Sequence, residues 1–160
     1  MPVDEEIPLQ VEDPYGLSTQ ADELTAAMMS RRHGMTTVAL RFPRLGGPRD
    51  KLRHAAREWA ADRAAGAREL WSYLDVRDAA RAAWLAVTRP VEGHHVVTVA
   101  APNTLMSEPT EKLLAVFHPD SERRAPVSDR AVPVDLGAAE RVDLGAAERV
   151  LGFTARHVLP

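Results

Sequence analysis

The sequence predicts an α/β protein whose parallel sheet is incomplete, because two buried strands stand among several helices. The first strand is the β-branched and apolar run 36–42, and the second is the run 95–100. A helical pattern precedes the first strand at 14–33, and another, opened by Asp75, precedes the second. Such alternation is typical of parallel sheets, whose strands need neighbours on both edges. We therefore expect the strand 36–42 to have an unpaired edge.

The helix over residues 14–33 is predicted by signals at both of its ends. Asp13 is a plausible N-cap, Pro14 suits the first helical position, and Gly34 fits a C-terminal stop. Tyr15 and Thr19 are four residues apart and therefore share one face. An apolar stripe recurs at helical spacing on another face: Leu17, Ala21, Leu24 and Met28.

The remaining elements follow from breaks and periodicity. In chain order we predict a break at 44–48, a helix at 50–65 closed by Gly66, an extended piece at 71–74, a helix from Asp75 that Pro90 ends, and a helix at 109–117. Asp75 and Asp78 are interpreted as caps in the manner of a capping box, and Ser107 is a candidate cap of the last helix. The predicted apolar face of the helix from Asp75 is Val76, Ala80, Ala83, Trp84 and Val87.

The tail holds a direct repeat after a proline-rich segment, 119–134, that we expect to be irregular. Residues 134–141 and 142–149 both read Val-Asp-Leu-Gly-Ala-Ala-Glu-Arg. In a continuous helix, a shift of eight residues turns the chain by about 80° beyond two full turns. The copies then cannot present the same face to one neighbour. We therefore expect one copy to pack and the other to extend or loop.

Composition excludes several classes of function. The chain has 160 residues, the length of one domain, and no cysteine, so it can form neither a disulfide framework nor a thiolate metal site. A net charge of −3 gives no electrostatic case for nucleic acid or an anionic membrane. The histidines are scattered and predict no metal site. Residues 1–12 lack the pattern of a signal peptide, and no apolar run is long enough to span a bilayer, so we expect a cytoplasmic protein.

Several stretches resemble one enzyme family, in the same order along the chain. Asp13-Pro14-Tyr15-Gly16-Leu17-Ser18-Thr19 resembles the Tyr-x-x-x-Lys helix start of the extended short-chain dehydrogenase/reductases, the NAD-dependent nucleotide-sugar epimerases and dehydratases. Residues 2–8 resemble the loop before the tyrosine, and residues 40–48 resemble the end of the sixth strand with its substrate loop. Further along, 71–80 resemble the start of the late helix, and 150–157 resemble the closing Leu-Gly-aromatic signature.

The resemblance implies the C-terminal half of such an enzyme, a single truncated domain over 1–160. It implies an incomplete Rossmann-like fold, with the last parallel strands and their helices at 14–103. The helical substrate-binding part would follow at 104–160 and would include the repeat at 134–149. In the family, five strands and a glycine-rich phosphate loop come first, and no G-x-G-x-x-G occurs in this chain.

The resemblance also assigns candidate site residues. Tyr15 takes the position of the catalytic tyrosine, which exchanges a proton with the substrate hydroxyl. Thr19 takes the position of the lysine, which lowers the tyrosine pKa and bonds the nicotinamide ribose of NAD or NADP. Arg44 stands where nucleotide-sugar enzymes carry an asparagine that contacts the diphosphate, and it is either an arginine that holds a phosphate bidentately or a solvated loop arginine. Arg41 follows the family pattern as a substrate-binding residue or, alternatively, as a structural residue paired with an acidic neighbour.

Three functions remain open at this point. The chain resembles part of a nucleotide-sugar epimerase or dehydratase that we expect to be inactive alone, because the NAD-binding half and the lysine are absent. An N-terminal half would come from a neighbouring gene product or a longer reading frame, and we expect a separate half to restore some activity. Alternatively, it is a non-catalytic module that binds an intact homologue through the helix 14–33. The third alternative is a truncated product without function.

Overall fold

The computed structural model describes residues 4–6, 9–47, 49–119 and 144–159. The elements in chain order are α1 (Pro14–His33), β1 (Thr37–Arg41), β2 (Arg44–Gly46), α2 (Lys51–Ala61), a 3₁₀ helix (Arg63–Glu69), β3 (Tyr73–Asp75), α3 (Val76–Thr88), β4 (His94–Thr98), α4 (Thr110–Phe117) and a π-helical turn (Ala147–Leu151). None of the described helices combines the length and the hydropathy needed to cross a membrane.

The strands form two parallel pairs, β1 with β4 and β2 with β3. The two predicted strands are therefore confirmed, and they are parallel neighbours that pair from Thr37 with His94 to Arg41 with Thr98. The second pair corrects the prediction of a break at 44–48, because Arg44–Gly46 lies alongside Tyr73–Asp75 as strand β2.

The edge of β1 that faces away from β4 is open among the described residues. The Thr37 N–H donates to the Gly93 carbonyl at 2.9 Å, and the Arg41 carbonyl accepts from the Val99 N–H at 2.9 Å. Since alternate residues of a parallel strand bond to the same neighbour, the N–H and C=O groups of Val38 and Leu40 point to the other edge. The predicted unpaired edge is confirmed for this part of the chain.

Helix α1 has the predicted bounds and caps. The Asp13 carboxylate accepts from the Gly16 N–H at 2.8 Å, and Gly34 ends the helix with φ of 65°. None of its residues is buried, and Leu24 is 64% exposed. The helix is joined to β1 by polar contacts, including a hydrogen bond from the Thr37 hydroxyl to the Ala26 carbonyl at 3.4 Å. Its apolar stripe thus faces solvent in the described structure.

The helix predicted over 50–65 is two elements, α2 and the 3₁₀ helix. Asp62 caps the second element with its side chain, which accepts from the Ala64 N–H at 3.0 Å. The sequence predicts that Gly66 closes this helix, but Gly66 lies inside the 3₁₀ helix instead. A Cβ at Gly66 would lie 2.3 Å from Cδ1 of the buried Trp71, so glycine is required here by close packing.

Helix α3 starts and ends near the predicted positions but buries the opposite face. Asp78, Ala79 and Ala82 are buried, while Trp84 is 66% exposed. The prediction was wrong because alanines lie on both faces of the helix, and we assigned to the core the face that also carries the larger apolar side chains. The small alanines pack closely against the main core, where the other buried members are Leu74, Val97, Val99, Ala146, Ala147, Leu151 and Phe153.

The two predicted caps of α3 have different roles. Asp75 is the N-cap, and its carboxylate accepts from the Arg77 N–H at 2.9 Å. Asp78 is not a cap. It is buried, and its Oδ2 accepts from the backbone N–H groups of Arg156 at 2.8 Å and His157 at 2.7 Å. Ser107 is not a cap either, because α4 begins after Pro109 without a side-chain bond.

The second copy of the repeat packs against the core through Ala146 and Ala147, as expected for one of the two copies. The first copy, at 134–141, and nearly all of the segment 119–134 lie outside the described residues. Gly152 follows with φ of 60°, and the Arg89 guanidinium donates to the preceding Leu151 carbonyl at 2.9 Å.

Candidate active-site cleft

An open cleft of about 920 Å³ lies where the start of α1, the β1–β2 connection and the start of α2 meet. Its lining residues are Tyr15, Phe42, Pro43, Arg44, Leu45, Asp50, Lys51, His54, Ala55 and Glu69. Two of the four sequence-predicted site residues, Tyr15 and Arg44, are therefore brought together, while Thr19 and Arg41 are not part of the lining.

Tyr15 lies in the first turn of α1 and presents its ring to the cleft and to solvent. Its side chain is 78% exposed, and its hydroxyl has no hydrogen-bond partner among the described residues. The backbone is fixed by the N-cap, because Asp13 accepts from the neighbouring Gly16 N–H. A phenol placed in this way can exchange a proton with a ligand hydroxyl that enters the cleft.

Thr19 lies one turn further along α1, on the face it shares with Tyr15. Its hydroxyl donates to the Gly16 carbonyl at 2.9 Å. This bond uses the only proton of the hydroxyl, although the oxygen can still accept a hydrogen bond. Thr19 supplies no positive charge, so the cation that the family pattern places beside the phenol has no counterpart at this position.

Arg44 is held in strand β2 by an acidic partner. Its Nε donates to Oε2 of Glu69 at 3.1 Å, and its Nη2 donates to Oε1 at 2.6 Å. The guanidinium carbon lies over the ring of buried Trp59, 5.2 Å from the ring centroid, in a cation–π contact. The hydrogen bonds to Glu69 raise the pKa of Arg44. The arginine is therefore an ordered part of the cleft wall.

Arg41 forms a second forked pair, away from the cleft lining. Its Nε and Nη2 donate to the two carboxylate oxygens of Glu23 at 2.8 and 2.7 Å, which joins α1 to β1. The hydrogen bond from Arg41 lowers the pKa of Glu23, although partial burial opposes this. The pairing is the structural role that the sequence left open for Arg41, and its substrate-binding role stays a prediction.

Sequence reasoning missed three charged residues of the cleft. Asp50 caps α2, and its Oδ1 accepts from the Gly47 N–H at 3.1 Å and from the Lys51 N–H. Lys51 lines the cleft at the start of α2, and Glu69 lines it at the end of the 3₁₀ helix. The sequence did contain a signal for Asp50 and Lys51, since they come shortly after the glycine pair 46–47 and the chain has only one other lysine, Lys112. Nothing local marked Glu69.

The described residues hold no group of three or more His, Asp or Glu side chains that could bind a metal ion. The partners of His94 and His95 illustrate this. His94 Nδ1 is 2.8 Å from the Thr37 hydroxyl, and His95 Nε2 is 2.8 Å from the Glu92 carbonyl. These histidines serve the ends of strands and loops rather than a common centre.

Comparison with known proteins connects the chain to one family. Residues 1–100 match the model of the NAD dependent epimerase/dehydratase family. No curated protein matches the chain. Among solved structures, MoeE5 in complex with UDP-glucose and NAD is 22% identical with a TM-score of 0.59, over 98% of this chain and 55% of that one. UDP-glucose 4-epimerase from Thermotoga maritima is 19% identical with a TM-score of 0.57, over 97% and 52%.

A third structure, UDP-N-acetylglucosamine 4-epimerase from Bacillus cereus, is 18% identical with a TM-score of 0.58, over 99% of this chain and 53% of that one. The chain therefore spans about half the length of the structures it resembles. At these identities the likeness concerns the fold, and the parallel α/β arrangement is a partial Rossmann-like fold, as the sequence predicted.

Proposed function

Because the chain belongs to the NAD dependent epimerase/dehydratase family, we propose that it is the C-terminal half of a nucleotide-sugar epimerase or dehydratase. In this proposal it supplies the tyrosine and the substrate cleft of a site that the remaining half completes. The observation that carries the proposal is that Tyr15 and Arg44 line one cleft. A sugar hydroxyl near Tyr15 and a phosphate near Arg44 would both be within that cleft.

The residues of this chain do not fit NAD on their own. The hydroxyl of Thr19 is bonded to its own helix and could at most accept a bond from a ribose. The chain contains no G-x-G-x-x-G segment to hold a pyrophosphate at a helix N-terminus. We therefore assign redox chemistry to the remaining half. The role left to this chain is proton exchange at the Tyr15 hydroxyl and orientation of the sugar nucleotide.

The open edge of β1 supports the need for a second half. Val38 and Leu40 direct their backbone groups to that edge, and their side chains pack against the main core. A parallel strand added there would pair with these backbone groups and continue the sheet. We propose that the neighbouring strand comes from the NAD-binding half.

The test is a fusion of this chain to the N-terminal half of a solved relative, assayed for conversion of UDP-sugars to their epimers or dehydrated products. We expect weak activity that Tyr15→Phe abolishes and that Ser18→Ala, an exposed change one turn away, leaves unchanged. Thr19→Lys should raise the rate about fivefold or more, because a unit charge about 4 Å from a phenolate contributes about 1 kcal/mol even in water. A folded Thr19→Lys fusion that binds NAD but shows no activity sensitive to Tyr15 would refute the proposal.

A second candidate function is non-catalytic binding of an intact homologue through α1. It is favoured by the exposure of Leu17, Leu24 and Met28 along one helix without buried residues. Size-exclusion chromatography with light scattering would detect the complex. Leu24→Glu should abolish it, whereas Asp22→Asn, on the same helix, should not. A chain that stays monomeric in the presence of the homologue would argue against this function.

A further inference from the structure

The guanidinium of Arg44 already holds an anion, and that anion belongs to the protein. The Nε and Nη2 groups of Arg44 donate to the two carboxylate oxygens of Glu69 at 3.1 and 2.6 Å. This is the same two-pronged edge that an arginine offers to a phosphate. A ligand phosphate that uses this edge must first displace Glu69.

Glu69 is fixed in this position by the backbone that follows it. Leu70 and Trp71 both adopt left-handed conformations, with φ of 52° and 53°, which non-glycine residues rarely do. The turn is secured by the Ser72 N–H, which donates to the Glu69 carbonyl at 3.0 Å. Buried Trp71 adds a bond from its indole N–H to the Arg63 carbonyl at 2.9 Å. A strained turn held by several contacts is typical of a functional position.

The other charges of the cleft do not restore an attraction for anions. Arg44 and Lys51 contribute two positive charges to the lining, and Asp50 and Glu69 contribute two negative charges. The formal charges therefore cancel. A diphosphate entering the cleft would meet the carboxylate of Glu69 next to the guanidinium that should bind it.

We propose that Glu69 is a specificity-determining residue of the cleft, which competes with a ligand phosphate for Arg44 and so lowers the affinity of the cleft for nucleoside diphosphates. The inference rests on the proposed function, since it concerns the same cleft. It predicts that Glu69 weakens the contribution of Arg44 to binding of the diphosphate, and that loss of the Glu69 charge tightens UDP binding but leaves uridine binding unchanged.

The experiment compares UDP and uridine binding to the whole chain by titration calorimetry. Glu69→Gln should bind UDP about tenfold more tightly than the wild type, because the repulsion of a multiply charged ligand disappears and the fork of Arg44 becomes available. Uridine affinity should not change. The gain should vanish in the double variant Glu69→Gln with Arg44→Gln.

Glu108→Gln is the matched control. Glu108 pairs with Arg63 through a bond of 2.7 Å from the Arg63 Nε, and both Glu108 and Glu69 have 34% exposed side chains. The control makes the same charge change outside the cleft and should leave UDP affinity unchanged. Circular dichroism establishes that each variant is folded, and Glu69→Ala replaces Glu69→Gln if the latter is not.

Two results would overturn the inference. If wild type and Glu69→Gln bind UDP with equal affinity in an Arg44-dependent manner, Glu69 does not compete, and the proposed function stands. If neither folded protein binds UDP, alone or in the fusion with the N-terminal half, the cleft is not a nucleotide site, and the proposed function fails together with the inference.

Discussion

Replacing Asp78 with asparagine should destabilise the protein by about 2–3 kcal/mol at neutral pH, because the charge of this buried carboxylate holds the C-terminal segment. Its Oδ2 accepts the backbone N–H groups of Arg156 at 2.8 Å and His157 at 2.7 Å. Its Oδ1 faces Nη2 of Arg81 at 3.3 Å and Nδ1 of His157 at 3.3 Å. Both oxygens therefore accept hydrogen bonds, Oδ2 from two backbone N–H groups and Oδ1 from the Arg81 guanidinium.

The magnitude follows from these contacts. The amide oxygen of asparagine can still accept the two backbone bonds, but each loses the charge assistance, a difference of about 1 kcal/mol per bond. The amide nitrogen must then point at Arg81 and His157, and one unfavourable donor–donor contact costs about another 1 kcal/mol. Urea denaturation followed by circular dichroism measures the sum. Asp22→Asn, an exposed change of the same kind on α1, should alter the free energy of unfolding by less than about 0.5 kcal/mol.

The difference should also depend on pH. Burial opposes the charged form of Asp78, but the N–H donors of His157 and Arg156 outweigh it and lower its pKa below the ordinary value. A group with a lowered folded pKa stabilises fully above its unfolded pKa and loses this contribution as the pH falls through the folded pKa. The wild type and the asparagine variant should therefore converge in stability below about pH 4. A neutral-pH difference under about 0.5 kcal/mol, or a difference that stays constant down to acid pH, would refute this reasoning.

Three further predictions concern individual side chains. Gly66→Ala should destabilise the protein by about 1–3 kcal/mol or more through overpacking, since its Cβ would lie 2.3 Å from Trp71. Gly16→Ala, whose Cβ would meet Val11 at 3.5 Å, should instead stabilise α1 by up to about 1 kcal/mol, and thermal denaturation compares the two variants. Tyr73→Phe should lower the free energy of unfolding by about 1–3 kcal/mol, because the phenol donates to Asn103 at 2.7 Å and accepts from the Leu159 N–H at 2.7 Å. Urea denaturation measures this loss, and an unchanged stability would show that these bonds carry no net stability. Because Trp84 is exposed, Trp84→Ser should change the free energy of unfolding by less than about 0.5 kcal/mol but should reduce the binding of a hydrophobic dye. A large loss of stability would mean that Trp84 is covered in solution.

The sequence predicted those parts of the fold that local signals determine. Helix α1 has the predicted bounds because Asp13, Pro14 and Gly34 fix its ends by local hydrogen bonds and backbone conformation. Strand β2 could not be predicted in the same way. Its three residues include a glycine and an arginine, and they become a strand only by pairing with β3, which lies far along the chain.

The candidate site shows the same division. The motif around Tyr15 and the position of Arg44 were available from the sequence, and the cleft brings both residues together. The partner of Arg44 was not available, because Glu69 reaches it through the packing of the 3₁₀ helix against buried Trp59 and Trp71. A residue whose role depends on such tertiary contact leaves no periodic or spacing signal.

The error in α3 itself bears on the proposed function. This helix buries Ala79 and Ala82 on one side and exposes Val76, Trp84 and Val87 on the other, so it is apolar around most of its circumference. A helix of this kind is typical of a position with neighbours on both sides. The exposed apolar stripe of α1 and the unpaired backbone groups at the open edge of β1 are two further surfaces that no described residue covers, and they belong to different elements of the structure. A further α/β unit packed against these surfaces would cover them, which is what the proposed function requires.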